Sequence, residues 1–351
     1  MKIKLTNNKK AKPDFSKLGF GKYFTDHMLV IDYKDGKWQE PEIVPFGDLS
    51  LSPASVVFHY GQEIFEGCKA YKSEDGKVTM FRAADNIKRM NNSAKRLCMA
   101  ELPVEETVKA IEKLVLTDID WIPTAPGTSL YVRPTLIGTE AFLGVHPSAQ
   151  FKFFVILSPV GSYYANGLAP IKINVEDKYL RAGKGGTGEA KCGGNYAASL
   201  YAAENAKHQG FEQVLYLDSV ERKFVEEVGA MNMFFVIDGT VVTPELDGAI
   251  LPGITRDSVI KVLKEFKMPV EERAVSIDEI VAAYKAGKLN EAFGTGTAAV
   301  ISPVGVIKYG DTVMEIGGGK IGEKSLWLYD RITGVQNRKY PDPFKWVKTL
   351  N

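Results

Sequence analysis

The stretch Gly183-Lys-Gly-Gly-Thr-Gly-Glu-Ala-Lys191-Cys-Gly-Gly-Asn195-Tyr196 sets six glycines around Lys191 just ahead of a predicted helix. Backbone this bare lets a ligand come close. A lysine becomes a nucleophile when desolvation or neighbouring positive charge lowers its pKa, and a tight glycine-walled site supplies the desolvation. The chemistry that fits is Schiff-base formation. Lysines among glycines are also common in solvated loops, so Lys191 needs companions before this reading holds. The stretch has neither GxxxxGK[ST] nor a strand-bound GxGxxG, which leaves little for nucleotide binding.

Three other segments supply companions. Thirty-six residues beyond Lys191, Glu226 and Glu227 stand at the entrance to an apolar strand in Val225-Glu-Glu-Val-Gly-Ala-Met-Asn232. A buried carboxylate keeps a pyridine nitrogen protonated and lets such a ring act as an electron sink; two surface charges are the plainer alternative. Ile250-Leu-Pro-Gly253-Ile254-Thr255-Arg256-Asp257-Ser258 reads as a turn entering a helix. Unpaired amides and the positive end of the dipole suit such a start to a phosphate, with Thr255 adding a hydroxyl, although a simple cap looks the same. Gly294-Thr295-Gly296-Thr297-Ala298-Ala299 reads as a second Gly/Thr turn for a phosphate or carboxylate. Phe20, Tyr60, Phe65, Trp121, Tyr131 and Tyr163 are aromatic wall candidates, although such residues usually belong to a core.

These groups need elements to hold them. Residues 20 to 160 alternate strand-like runs with helical stretches: Met28–Tyr33 with a Lys34-Asp35-Gly36-Lys37 hairpin turn, then Val78–Phe81, Ser129–Ile137 and Phe151–Leu157 as strands. Asp85–Met99 and Val104–Leu116 carry helical spacing of apolar positions. Residues 159–170 mix turn formers and aromatics, as a linker would. Beyond them a helix over Asn195–His208 stops at Gly210, strands follow at Gln213–Leu217 and Met231–Ile237 with an Asp238-Gly239 turn, and helices cover Thr255–Phe266 and Ser276–Ala286. The expected division is residues 1–160, a linker over 161–173 and a second domain over 174–351.

With 351 residues, 45% apolar and 25% charged, the chain has the composition of a two-domain globular protein. Forty-four basic against 43 acidic side chains give no broad footprint for nucleic acid or an anionic membrane. The lysines at 2, 4, 9, 10 and 12 read as a solvated arm. No apolar stretch of signal-peptide length lies near the start, and runs such as Phe153–Leu157 are too short to span a bilayer. Cys68, Cys98 and Cys192 have neither disulfide-framework nor metal-ligand spacing, so no metal and a cytoplasmic setting are expected.

In order along the chain, these segments resemble the branched-chain amino acid aminotransferases, members of the fold type IV pyridoxal-phosphate enzymes. The resemblance covers nearly the whole chain. It rests on Phe24-Thr-Asp-His-Met28, Tyr60-Gly-Gln-Glu-Ile-Phe65-Glu-Gly67, Phe81-Arg82 through Arg89-Met90, Tyr131-Val-Arg133-Pro134, Lys191-Cys-Gly-Gly-Asn195-Tyr196, Glu227-Val-Gly229, Leu251-Pro-Gly253-Ile-Thr255-Arg256 and Gly296-Thr-Ala298. It implies a D-amino acid aminotransferase-like fold of mixed α+β and α/β character: a small α+β N-terminal domain and a larger, β-barrel-like C-terminal domain with flanking helices.

The resemblance further implies pyridoxal 5'-phosphate joined to Lys191, which also shuttles the proton. Tyr196 would bond the ring hydroxyl oxygen and Glu227 the pyridine nitrogen, with Glu226 a neighbour. The phosphate would be held by Arg89, by the amides of Ile254 and Thr255, and by Thr295 and Gly296. The substrate carboxylate would lie at Thr297 and Ala298, helped by Tyr60 and Arg133, with Phe20, Phe65, Tyr131 and Tyr163 lining the side-chain pocket. Arg133 would accept the γ-carboxylate of glutamate. Leu143-Gly144-Val145 resembles a loop that crosses from a partner subunit, which implies a homodimer. The implied reaction is reversible, ping-pong transfer of the amino group of leucine, isoleucine or valine to 2-oxoglutarate.

The pattern is broken in places. Ala299-Val300-Ile301-Ser302 stands where mammalian members carry a CxxC pair, Ala230 where threonine is frequent, and Gly334-Val-Gln-Asn-Arg338 where Gln-Tyr-Gly is usual. Cys192 beside the lysine is unusual. The same fold serves D-amino acid aminotransferases and aminodeoxychorismate lyase, which makes a sister reaction the nearest rival. A silent binding protein is the rival from another class, and the presence of Lys191 and Glu227 speaks against it.

Overall fold

The computed structural model describes residues 1–73, 75–161 and 168–351. The chain forms two compact units: Met1–Ala165 with Ala190–Gly193 and Gly334–Asn351, and Asn166–Glu189 with Gly194–Thr333.

The first unit is built on a ten-stranded sheet. Its spine is the antiparallel pair Ser129–Gly138 and Phe151–Val160, in register from Ser129↔Val160 to Gly138↔Phe151. On one side lie Cys68–Lys72, Val78–Phe81 and, last in the chain, Val347–Thr349; on the other lie His27–Lys34, Glu42–Pro45 and Lys2–Ile3. Glu63–Phe65 pairs with residues 135–137. Two helices, Ala83–Arg96 and Val104–Thr117, share the core with the sheet. In the second helix Thr107, Val108, Ala110, Ile111, Leu114 and Val115 are buried, a stripe at spacings of three and four that needs a sheet to cover it.

The second unit holds a nine-stranded sheet in which six strands close on themselves. Around the ring run Val225–Val228, Gln213–Leu217, Ile171–Glu176, Val300–Tyr309, Leu289–Gly296 and Met231–Ile237, and the last pairs again with the first through Glu227↔Asn232 and Val228↔Met231. Closure removes the open edges a flat sheet would leave. Phe234 and Phe293, both fully buried, stack with ring centroids 5.1 Å apart across two neighbouring strands. The helices of this part of the chain are Gly193–His208, Ile254–Glu265, Ile277–Lys285 and Glu323–Gln336. Ser276 caps the third by accepting the Glu279 amide hydrogen at 3.1 Å.

The architecture is the expected mix of helices with a barrel-like second sheet. The chain's division is less simple than one cut near residue 165. Residues 190–193 and 334–351 belong to the first unit, because Ile64 bridges Cys192 and Val347–Thr349 pairs antiparallel with Val78–Phe81. Residues 171–173 of the expected linker lie inside the strand Ile171–Glu176, and 162–167 fall outside the described residues. The N-terminal arm is less free than its lysines suggest: Lys10 donates its amide to Asp26 at 2.8 Å and sets its ammonium 3.9 Å from the Phe46 ring centroid. Gly294–Gly296, expected in a turn, end the strand Leu289–Gly296.

Removing the Phe293 ring opens a cavity under the Phe234 stack. Phe293→Ala is expected to cost about 3–5 kcal/mol of unfolding free energy, read by guanidinium denaturation.

Candidate active site

The helix Ala83–Arg96 presents Asn86, Arg89 and Ser93 at spacings of three and four, one helical face, and all three are buried. Arg89 donates from Nε to Glu66 Oε1 at 2.7 Å and from Nη2 to Oε2 at 2.9 Å. Asn86 Nδ2 and the Gly67 amide reach the same Oε2 at 2.9 and 3.1 Å. Glu66 has no solvent exposure. Burial pushes its carboxyl pKa up, but the Arg89 guanidinium, with help from Lys191 and Asn86, outweighs that and holds it below the usual range. Ser93 Oγ accepts the backbone N–H of Lys191 at 2.9 Å, and the Lys191 carbonyl accepts from the Phe65 amide at 3.0 Å.

These bonds tie the backbone of Lys191 to the Glu63–Phe65 strand and leave its side chain among hydrophobic and cationic neighbours. Its ammonium lies 4.9 Å from the Phe65 ring centroid. Desolvation by burial, then the positive charge of Arg89, lower the Lys191 pKa to about 8, against the opposing pull of Glu66. The neutral amine, which a lysine nucleophile or base requires, is therefore far more populated near neutral pH than for an ordinary lysine.

Beside it stands an aromatic wall. Arg133 sits 4.8 Å from the Phe65 centroid and 5.2 Å from that of Tyr131, and donates from Nη2 to Tyr131 Oη at 3.3 Å. Its Nε is buried with no hydrogen-bond partner among the described residues. Phe20 meets Tyr131 edge-on at 5.0 Å. A Cβ on Gly67 would overlap the Tyr131 hydroxyl, so only glycine admits that ring. Tyr60 instead donates to the Leu143 carbonyl, on an exposed loop where Val145 is 83% exposed. Trp121 is no wall: it lies in the first unit's core and donates from Nε1 to Asp26 at 2.9 Å. Tyr163 lies outside the described residues.

In the second unit both Glu226 and Glu227 are buried, at 3% and 2% exposure, so neither is a surface charge. Glu227 pairs with the guanidinium of Arg181, accepts the Leu251 amide hydrogen at 3.2 Å on Oε2, and takes Asn232 Nδ2 at 3.4 Å on Oε1. Strand register sets Glu227 opposite Asn232 and Asn232 opposite Thr295, so the three share one face of neighbouring strands. Thr295 Oγ1 is buried without a hydrogen-bond partner among the described residues. Close by, Gly253 packs so tightly on the Asn232 side-chain oxygen that no Cβ would fit, and it opens the helix Ile254–Glu265 with no side-chain cap. Thr255 is in its first turn. An uncapped helix start and an unpartnered hydroxyl are donors for an anion.

Gly296 ends its strand, and Thr297 and Ala298 form the turn to Val300, whose φ of 63° is strained for a β-branched residue. Tyr196 lies half-buried in the first turn of the helix Gly193–His208.

The structure thus gathers Lys191, Arg89, Phe65, Tyr131, Arg133 and Phe20 in the first unit, and Glu227, Thr295, Ile254 and Thr255 in the second. Sequence reasoning passed over Glu66, Asn86 and Ser93, which position Arg89 and Lys191, and Arg181 and Asn232, which hold Glu227. The three-four spacing of Asn86, Arg89 and Ser93 was a usable signal; pairing of Arg181 with Glu227 left none. Among the described residues no group of three or more His, Cys, Asp and Glu side chains is placed to hold a metal ion, and no helix is long and apolar enough to cross a membrane.

Comparison with known proteins adds independent information. The amino-transferase class IV family matches residues 63–307. The branched-chain-amino-acid aminotransferase 2 of Bacillus subtilis (strain 168) is 53% identical over 348 residues, covering 99% of this chain and 96% of its own length. A probable branched-chain-amino-acid aminotransferase of Staphylococcus aureus (strain MRSA252) is 52% identical, covering 99% and 97%. Among solved structures, the Escherichia coli branched-chain amino acid aminotransferase superposes with a TM-score of 0.77 at 27% identity, covering 93% of this chain and 99% of that one. The T.th. branched-chain amino acid aminotransferase complexed with N-(5'-phosphopyridoxyl)-L-glutamate does so at 0.76 and 29%, covering 95% and 99%.

Glu66→Gln leaves the Arg89 guanidinium buried without its counter-charge and removes the group that raises the Lys191 pKa. Unfolding free energy should fall by about 3–5 kcal/mol. The Lys191 titration should move further below its present value of about 8, as read by pH-dependent competitive acylation of the cofactor-free protein.

Proposed function

Because the chain belongs to the class IV amino-transferase family, we propose that it is a branched-chain amino acid aminotransferase, moving the amino group of leucine, isoleucine or valine to 2-oxoglutarate with pyridoxal 5'-phosphate as cofactor. The observation that carries this reading is Lys191: a half-buried amine, its pKa lowered to about 8, beside an aromatic wall that ends in a guanidinium. The residues present also fit the cofactor. Thr295 Oγ1 is an unpartnered buried donor near an uncapped helix start, as a phosphate would use, and Glu227 is a buried carboxylate held in place by three neighbours.

When bound, pyridoxal 5'-phosphate supplies a carbonyl for the amino group and a ring that stores the negative charge released at the α-carbon. Lys191 would hold it through Nζ, and once released by the substrate's amino group the same amine would be the base that takes the α-proton and the acid that returns it. Its lowered pKa lets one group serve as base and acid near neutral pH. Glu227 would hold a proton on the pyridine nitrogen, with Arg181 keeping the carboxylate ionised and oriented. Tyr196 would donate to the ring hydroxyl oxygen. Arg89, fixed by Glu66, would face the phosphate together with the Ile254 and Thr255 amides, Thr295 and Gly296.

The substrate carboxylate would bind at Thr297 and Ala298 with Tyr60, while Phe20, Phe65 and Tyr131, and by the family resemblance Tyr163, would enclose the branched side chain and exclude water. Glutamate must use the same space, and Arg133, with its unpartnered Nε, is the group to receive its γ-carboxylate. One oxo acid leaves before the next enters, which gives ping-pong kinetics. We further propose a cytoplasmic homodimer. The exposed apolar Phe142, Leu143 and Val145 support a partner on that loop, and three cysteines without disulfides suit a reducing compartment.

The test is glutamate formation from leucine and 2-oxoglutarate by the purified protein. Strong turnover with leucine, isoleucine and valine supports the reading; turnover of D-amino acids alone would point to a sister reaction. Arg133→Met should raise KM for glutamate and 2-oxoglutarate by roughly 10- to 100-fold, the worth of a charged hydrogen bond, with KM for leucine changed by less than about twofold.

A further inference from the structure

Successive side chains of a strand point to opposite faces, so while Glu227 meets Asn232 and Leu251, Glu226 turns into a cavity of about 240 Å³ inside the second unit. Five carboxylates line it: Asp218, Glu221, Glu226, Glu245 and Asp247. Most of these have an explanation or an open route to water. Asp218 accepts four backbone amides, from Val220, Glu221, Lys223 and Phe224, at 2.7–3.0 Å. Asp247 accepts the Ala249 amide at 3.1 Å and the Lys184 ammonium at 3.1 Å.

Glu226 has neither. It is 3% exposed, and its Oε1 is buried with no hydrogen-bond partner among the described residues. A buried carboxylate without a donor takes up either a proton or a cation. Apart from Lys184 and Ser219, the remaining walls, including Val220, Phe224 and Ile250, are apolar. The space is larger than a bare ion needs, and no cluster among the described residues has the donor set of a metal site.

From this geometry we infer that the cavity is a second ligand site, for a cationic head on a short alkyl chain, which Glu226 and Asp247 hold while the apolar walls cover the chain. A guanidinium suits it best, since its planar donors match a carboxylate. Lys184, exposed and flexible, gives up Asp247 to the ligand. Burial first, then the charge of Asp247, raise the Glu226 pKa to about 8; Glu227 and Asp218 add to the rise and Arg181 opposes it. Below that pH the ligand therefore displaces a proton from the Glu226 carboxyl to solvent.

The experiment is isothermal titration calorimetry of the holoenzyme with butylguanidinium chloride, against sodium chloride at equal ionic strength, in buffers of differing ionisation enthalpy. Guanidinium is too weak a nucleophile to add to a carbonyl, so the result does not depend on the cofactor or the proposed reaction. Saturable binding is expected that tightens as pH rises through about 8 and releases a proton below it. Glu226→Gln should weaken it at least roughly tenfold, and Asp247→Asn should weaken it as well. No saturable binding above the salt control, or binding without proton release, overturns the site. Equal affinity in both folded variants does so too, and the proton measurement on the unaltered protein stands even if a variant misfolds.

Discussion

An ammonium ion loses most of its hydration when it is packed beside a benzene ring and a guanidinium, and Lys191 is held in that position by its own backbone. Ser93 and Phe65 grip its amide and carbonyl, which fixes the point on the backbone from which the side chain starts. Arg89 adds a repulsive charge that would be untenable in the interior without Glu66, which takes the guanidinium in two hydrogen bonds and is itself held by Asn86 and Gly67. The pair serves less as a source of stability than as a means of keeping a cation fixed in a dry place. What results is a lysine that gives up its proton near pH 8, well below an ordinary lysine.

The second unit solves a related problem with a closed sheet. Glu227 is a charge in the interior, tolerable because Arg181, Asn232 and the Leu251 amide surround it. The ring of strands puts Glu227, Asn232 and Thr295 side by side, and a register slip of one residue in any of them would turn its side chain to the other face. Gly253 packs on Asn232 and begins the helix whose first turn carries Thr255, so one contact links the carboxylate's support to the donors of an anion site. Strain at Val300 lies just beyond the Thr297–Ala298 turn.

Much of this was legible in local chemistry. Gln213–Leu217 and Met231–Ile237 stand at their expected limits, and Gly210 ends its helix, because each is announced by its own residues or flanking turn formers. Ile171–Glu176 alternates apolar and polar residues and was still placed partly in the linker, but other missed elements lack that announcement. Val225–Val228 carries two acids on a buried strand, Leu289–Gly296 mixes Asn, Glu and Gly, and Cys68–Lys72 carries two lysines in five residues, so none reads as apolar. Val347–Thr349 is a strand only because Val78–Phe81 offers an edge far back in the chain. Lys191, Glu227 and the donors proposed for a phosphate were nameable through a family resemblance carried by contiguous motifs. Their supports were not, since Glu66, Asn86 and Ser93, like Arg181 and Asn232, act through contacts that no single motif contains.

The account turns on which lysine carries the cofactor, and the protein offers a built-in control. Lys69 is also buried, with its pKa lowered by desolvation to about 8, but it belongs to the Cys68–Lys72 strand and to none of the site's motifs. Borohydride reduction of the purified yellow protein, followed by peptide mass mapping, discriminates between them. The account predicts one phosphopyridoxyl group, on the peptide containing Lys191, and loss of transamination in step with its appearance. A modified Lys69, or no incorporation at all, would contradict it.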